Sequence, residues 1–111
     1  MPMQAWLTQG EPTMARRTVY GTPEEKQAKE ELAALMRKVI KQQGLSQYAA
    51  ARIIGVDQPK VSAIMSNRLV HFSSERLMRF LIMLGHDVEI VISPKPKSRS
   101  GRLRVVPNLN G

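Results

Sequence analysis

The sequence predicts a single, mainly α-helical domain with one C-terminal β-strand, and three features of its 111 residues support this. Apolar side chains recur at helical spacing in four segments, each preceded by a residue that can cap a helix. Two of these segments are separated only by residues 55–57. The spacing then becomes alternating over residues 86–93, which indicates a strand that stops at Pro94.

The first helix is predicted to begin at Thr22, which can cap it, with Pro23 at the first helical position and Glu25 completing a capping box. Gly44 is expected to end this helix. Its apolar residues form the single stripe of an amphipathic helix. The stripe consists of Ala28, Leu32, Leu35, Met36, Val39 and Ile40.

The next two helices are short and joined by a tight turn, in the stretch SQYAAARIIGVDQPKVSAIMSNR at residues 46–68. Ser46 and Asp57 can each cap a helix, and Gly55 supplies the positive φ that a sharp helix exit requires. Ala51 is small where the two helix axes come close. Two helices that cross steeply through so short a turn form a helix-turn-helix, whose second helix presents its N-terminal side chains to base edges in the DNA major groove. This stretch therefore predicts DNA binding.

The last predicted helix follows the capping serines at residues 73 and 74 and closes at Gly85, after which the predicted strand begins. Val88, Ile90 and Ile92 would share one face of that strand. Since no second strand is evident, the segment either forms a hairpin or ragged end within the chain or pairs with its copy in a second subunit. We favour pairing, because an antiparallel ladder on a two-fold axis would satisfy the strand edge and create a symmetric dimer.

Two parts of the sequence resemble a known family. LSQYAAARIIGVDQPKVSAIMSNR is similar to the Xre/Cro-type helix-turn-helix of phage repressors. SSERLMRFLIMLGHDVEIVISP resembles a branch of small Xre proteins that includes HigA-like antitoxins, so that the resemblance covers residues 22–94. It implies a lambda-repressor-like five-helix domain and a homodimer that binds a palindromic double-stranded operator and represses its own promoter. For antitoxin members it also implies an RNA-cleaving toxin as partner. A stand-alone or phage-derived Xre regulator without a toxin is the alternative.

The resemblance assigns three residues to the DNA backbone. Gln47, at the start of the first helix of the motif, matches the family's phosphate contact and orienting residue. Asn67 and Arg68 match the polar residues that follow the reading helix and touch the backbone.

Five residues of the reading helix are candidates for base contacts. Gln58, Lys60 and Ser62 lie on its exposed early turns. Pro59 stands where many phage repressors carry a polar base-reading residue, and Ala63 is too short for a hydrogen bond. Base reading is expected to rest on the three polar residues, with apolar contacts to thymine methyl groups from Pro59 or Ala63.

The positive charge is concentrated at the C-terminal end of the chain. The net charge is +8, but residues 22–92 hold ten Lys or Arg against eight Asp or Glu, whereas residues 94–111 hold five basic residues and no acid. We expect a flexible N-terminal arm at residues 1–21, the DNA-binding domain with its strand at 22–93, and a flexible basic tail at 94–111. The tail is either a solvated end or an additional phosphate contact.

Other function classes find little support. The chain has no cysteine, its two histidines are isolated, and no paired carboxylates suggest catalysis, so that we expect no enzyme, metal site or cofactor. Few aromatic residues are present to stack single-stranded RNA. Neither a membrane span nor a secretory signal is evident, and a cytoplasmic protein is expected. The glutamates near the start of the first helix either serve its dipole and solubility or meet a basic toxin. They are Glu24, Glu25, Glu30 and Glu31.

Overall fold

The computed structural model describes residues 23–109, which form four helices followed by an irregular C-terminal segment. The helices are α1 (Pro23–Gln42), α2 (Gln47–Ile54), α3 (Gln58–Met65) and α4 (Ser74–Met83). These bounds agree closely with the four segments of helical spacing in the sequence. The predicted arm at residues 1–21 lies outside the described part of the chain.

All four helices contribute to one hydrophobic core. The stripe of α1 packs chiefly against α4, while α2 and α3 pack mainly against each other. No charged or polar residue of the described chain is buried, so that the core depends on aliphatic burial and on two phenylalanines in edge-to-face contact. Its largest fully buried side chains are Met36, Val39, Ile40, Val61, Ile64 and Leu77.

Side-chain caps begin the three shorter helices, as the sequence predicted. Ser46 accepts a 3.0 Å hydrogen bond from the backbone N–H of Ala49 at the start of α2. Asp57 accepts one of 3.3 Å from Lys60 at the start of α3, and Ser73 caps α4 in the same way. Each cap satisfies an N–H that has no partner within its helix. The caps therefore fix where each helix begins.

The five-helix fold with a C-terminal strand is wrong. Residues 23–109 contain four helices and no β-strand. A fifth helix is disfavoured because the chain after α4 carries β-branched residues and then Pro94. The segment at residues 86–93 lacks the neighbouring backbone that a strand needs for its hydrogen bonds. Its alternating pattern indicated extended backbone, but pattern alone could not supply a partner.

The segment after Pro94 is irregular, yet part of it returns to the helices. Val105 and Leu109 are half-buried and pack against the core. Val105 and Pro107 also line a shallow groove with residues of α1, including Leu35. None of the helices within residues 23–109 has the length and apolar character that a membrane crossing requires.

Candidate nucleic-acid interface

Helix α3 has one face in the core and one face in solvent. Val61 and Ile64 are completely buried and fix the helix to the domain. Pro59 and Lys60, in its first turn, are exposed. The N-terminal end of α3 is therefore open to a ligand as large as a DNA duplex, which is the requirement for a reading helix.

The remaining candidates on α3 are less exposed than expected. Gln58 and Ser62 are half-buried. Ala63 is half-buried and packs against the core, so that only part of its methyl group can meet a base. The structure thus places Gln58, Pro59, Lys60 and Ser62 together at the start of α3 and sets Ala63 towards the interior.

A side-chain hydrogen bond joins the first residues of α2 and α3. The amide of Gln58 donates to the side-chain oxygen of Gln47 over 2.6 Å. An amide has two N–H groups and one oxygen, so Gln58 keeps one N–H and its oxygen for another partner. A glutamine with one donor and one acceptor free can bind adenine in the major groove through both. The bond thus orients Gln58 without using up its capacity for recognition.

Lys60, the basic residue at the start of α3, already forms an ion pair with Asp57. Lys60 Nζ lies 3.4 Å from the Asp57 carboxylate, and both side chains are substantially exposed. Exposed pairs of this kind contribute little to folding, about 0–1 kcal/mol. The carboxylate that caps α3 therefore also holds the lysine near the helix start, from which a phosphate or a base edge can displace it.

The turn between α2 and α3 has a fixed geometry. Gly55 has φ 74°, and its N–H donates to the backbone oxygen of Ala51. Val56 donates to the same oxygen over 3.0 Å. The side chains of Ala50 and Ala51 are almost completely buried, which is consistent with a close approach of the two helices. The angle of α3 is therefore set by backbone bonds and not by a mobile loop.

The residues after α3 are also exposed. Asn67 has φ 61°, and it is the one non-glycine residue with positive φ among those described. Its N–H donates to the oxygen of Ile64, and the N–H of Arg68 donates to that of Ala63 over 2.8 Å. Both side chains face solvent, on the chain that leaves the reading helix. They are available for the backbone contacts expected of them.

Comparison with known proteins agrees with this geometry. Residues 20–93 match the family model described as a helix-turn-helix domain. A solved structure named as an XRE family transcriptional regulator is 50% identical, covers 77% of this chain and 97% of its own, and superposes with a TM-score of 0.74. This chain belongs to the Xre-type helix-turn-helix family. No protein of curated function matches it.

Two side chains close to the helix-turn-helix of this Xre-type protein were not singled out from the sequence. Arg37 of α1 donates a 3.0 Å hydrogen bond to the backbone oxygen of Ile64, near the end of α3. Tyr48 is 69% exposed and adjoins Gln47 at the start of α2. Sequence spacing could have marked Tyr48 as lying off the apolar face, but the Arg37 bond joins residues 27 apart and has no local signal.

The predicted dimer residues of this Xre-type protein lie in different surroundings. Val88 is half-buried and packs against the core of its own chain. Ile90 and Ile92 are 76% and 91% exposed, and Val91 between them is 80% exposed. Val88 therefore anchors the segment, while the three residues 90–92 present an apolar surface to solvent.

The two histidines of the described chain lie in different surroundings. His71 is exposed, and residues 23–109 contain no group of three potential metal-ligating side chains. His86 is half-buried, and its Nδ1 atom is buried without a hydrogen-bond partner. Membership of the Xre-type family supports interpretation of the chain as a DNA-binding transcriptional regulator that acts through its helix-turn-helix.

Proposed function

We propose that this chain binds duplex DNA through the N-terminal turns of α3 and represses its own promoter. The observation that carries this proposal is the pairing of Gln47 and Gln58 at the exposed start of a helix whose opposite face is buried. Side-chain orientation of this kind is useful where base edges are read, because a hydrogen bond to a base requires an aligned donor and acceptor. Lys60 adds a positive charge at the same end of α3.

The proposal assigns separate tasks to the site residues. Gln58, Lys60 and Ser62 supply polar groups for base edges, and Pro59 supplies an apolar contact to thymine methyl groups, with a smaller one from Ala63. Gln47, Asn67 and Arg68 contact phosphates and set the register of the protein on the duplex. The first group then determines sequence preference, and the second determines affinity for any duplex.

Selection from a random duplex pool, followed by titration of the selected and scrambled duplexes, tests this division. Gln58→Ala and Lys60→Ala are each expected to reduce preference for the selected duplex by about 1–3 kcal/mol. Arg68→Gln is expected to weaken binding to both duplexes by the same factor. Unchanged preference in the first two variants, with thermal melting still cooperative, would remove these residues from the reading set.

A homodimer is the second part of the proposal. The apolar surface of residues 90–92 supports it, because three neighbouring β-branched side chains gain free energy when a second copy covers them. Two copies also present two reading helices to the two halves of a palindrome. Ile90→Lys is expected to shift sedimentation to the monomer, with Val70→Lys as a control at an exposed β-branched residue outside residues 90–92. A dimer that survives Ile90→Lys would reject this interface.

A toxin partner is the third part, and it rests on the resemblance to HigA-like antitoxins. We propose that the exposed glutamates of α1, such as Glu24 and Glu30, meet a basic RNA-cleaving toxin encoded beside this chain. Co-expression with the neighbouring small reading frame is expected to relieve growth arrest caused by that frame. Absence of such a frame, or arrest that persists, would favour a stand-alone regulator.

A further inference from the structure

We infer that the C-terminal segment is a second phosphate-binding surface, held on the domain by its own apolar residues. This inference rests on the proposed DNA-binding function and extends it. The surface consists of Arg99, Arg102 and Arg104, which are referred to below as the tail arginine cluster. It lies outside the helix-turn-helix, and it would bind phosphates of the duplex that α3 contacts without reading bases.

Charge is the first argument. Residues 94–111 contain no acidic residue, and none of the three arginines forms an ion pair in the described chain. Arg99 donates only to the backbone oxygen of Ser100, and Arg102 and Arg104 are exposed. The positive charges of Arg99 and then Arg104 repel the charge of Arg102 and lower the pKa of Arg102 from its usual value. An anion bound among them would relieve this repulsion.

Anchoring is the second argument. The residues directly after the cluster return to the helices, since Val105 and Leu109 pack against the core. Val105 and Pro107 line the groove beside Glu31, Ala34, Leu35 and Lys38 of α1. A solvated tail without function would not require apolar residues directly after its charges. This anchor follows directly after Arg104 and limits how far the arginines can move from the domain, so that less conformational entropy is lost when they bind.

The ligand chemistry follows from the arginines. A planar guanidinium donates two parallel hydrogen bonds to a phosphate, and several within six residues suit the regular spacing of phosphates along a nucleic acid. Duplex DNA is favoured over a membrane surface because the same chain carries a helix-turn-helix. Contacts to phosphates alone would raise affinity for every duplex by the same factor.

The test uses the full-length protein and two duplexes, one selected from a random pool by the wild type and one scrambled. The triple variant Arg99→Gln/Arg102→Gln/Arg104→Gln is expected to bind both duplexes on the order of 10- to 100-fold more weakly at 0.15 M salt. The dependence of log affinity on log salt is expected to flatten by about 2–3, since each phosphate contact contributes about 0.9. Arg79→Gln, which removes an exposed charge of α4, is the control and is expected to change neither quantity measurably.

A second variant tests the anchor while keeping every charge. Val105→Ser/Leu109→Ser is expected to weaken binding to both duplexes about 3- to 10-fold, with the salt dependence unchanged, because released arginines must be ordered on the DNA. Thermal melting checks that the helical domain remains folded. Wild-type affinity in this variant would overturn the anchored arrangement.

The outcomes separate this inference from the proposed function. If the wild type shows no preference between the duplexes, the proposed function fails. If it shows preference and the triple variant binds with unchanged affinity and salt dependence, the tail arginine cluster makes no phosphate contact and only the present inference fails. If the triple variant loses preference for the selected duplex, the arginines contact bases. If it binds both duplexes as the wild type does but no longer binds phosphatidylserine vesicles that the wild type binds, the arginines contact a membrane. Each of the last three results overturns the inference, whereas the first overturns the proposed function on which it rests.

Discussion

The side-chain amide of Gln58 donates a 2.6 Å hydrogen bond to the side-chain oxygen of Gln47, so that the first residues of two consecutive helices are linked directly. The turn between them is already fixed by the backbone, with Gly55 and Val56 both donating to Ala51. The helix positions thus depend on main-chain bonds, and the glutamine pair adds the orientation of one reading side chain.

This link predicts that Gln47 acts on DNA partly through Gln58. Gln47→Ala is expected to reduce preference for a selected duplex even though the contact proposed for Gln47 is to the DNA backbone, because Gln58 loses its orientation. A double-mutant cycle with Gln58→Ala is expected to give a coupling of about 1 kcal/mol in binding free energy. Gln42→Ala, at the exposed end of α1, is the glutamine control. Strictly additive losses would show that the two residues act independently.

The Asp57–Lys60 pair predicts that two substitutions of Asp57 differ in their effect on the free energy of unfolding. Asp57→Asn keeps a cap for α3 but removes the negative charge, so the free energy of unfolding changes little and affinity for duplex DNA rises. Asp57→Ala removes the cap as well and is expected to lower the free energy of unfolding by about 1 kcal/mol. Chemical denaturation and DNA titration measure the two effects. Equal loss of stability in both variants would argue against the cap.

The backbone at Gly55 predicts a cost that does not come from a steric clash. A Cβ added there meets no atom within 4 Å, but the residue has φ 74°. Gly55→Ala is therefore expected to lower the free energy of unfolding by about 1–2 kcal/mol through backbone strain alone. Gly101→Ala is a matched control, because its Cβ would make an ordinary 3.9 Å contact with Lys95 and no positive φ is involved. Equal effects at both positions would contradict this explanation.

The close approach of α2 and α3 predicts that Ala51 cannot be enlarged. Its side chain is 4% exposed, and Ala51→Leu would force extra methyl groups into filled space. Overpacking of this kind is expected to cost about 1–3 kcal/mol of unfolding free energy. Arg52→Leu introduces the same side chain at the exposed neighbouring position and is expected to be close to neutral. Urea denaturation compares the two, and an Ala51→Leu variant as stable as wild type would show that the interface can adjust.

Local signals explain what the sequence predicted well. Ser46, Asp57 and Ser73 cap the helices that follow them, because a capping side chain bonds to an N–H only two or three residues away. Gly55 adopts the expected left-handed conformation for an equally local reason. The starts of α2, α3 and α4 and the end of α2 could therefore be derived from neighbouring residues.

Interactions between distant residues explain the failures. The β-branched residues after Gly85 suggested a strand, but whether a strand forms depends on a partner backbone that local pattern does not specify. The same limit applies to the bond from Arg37 to the oxygen of Ile64, and to Val105, which packs against the core from a stretch that seemed only basic. Within the site, the exposed face of α3 could be predicted from helical spacing. The Gln47–Gln58 hydrogen bond could not, because it joins side chains of two different helices.

The packing of α1 against α4 has a consequence for synthesis. During synthesis α1 emerges before α4, which is its main packing partner, so that much of its apolar stripe stays uncovered until about Leu84 has emerged. A chain that ends before Ser74 contains both helices of the helix-turn-helix but lacks the helix that packs most extensively on α1. Such a chain is therefore expected to be more sensitive to proteases than one that includes α4.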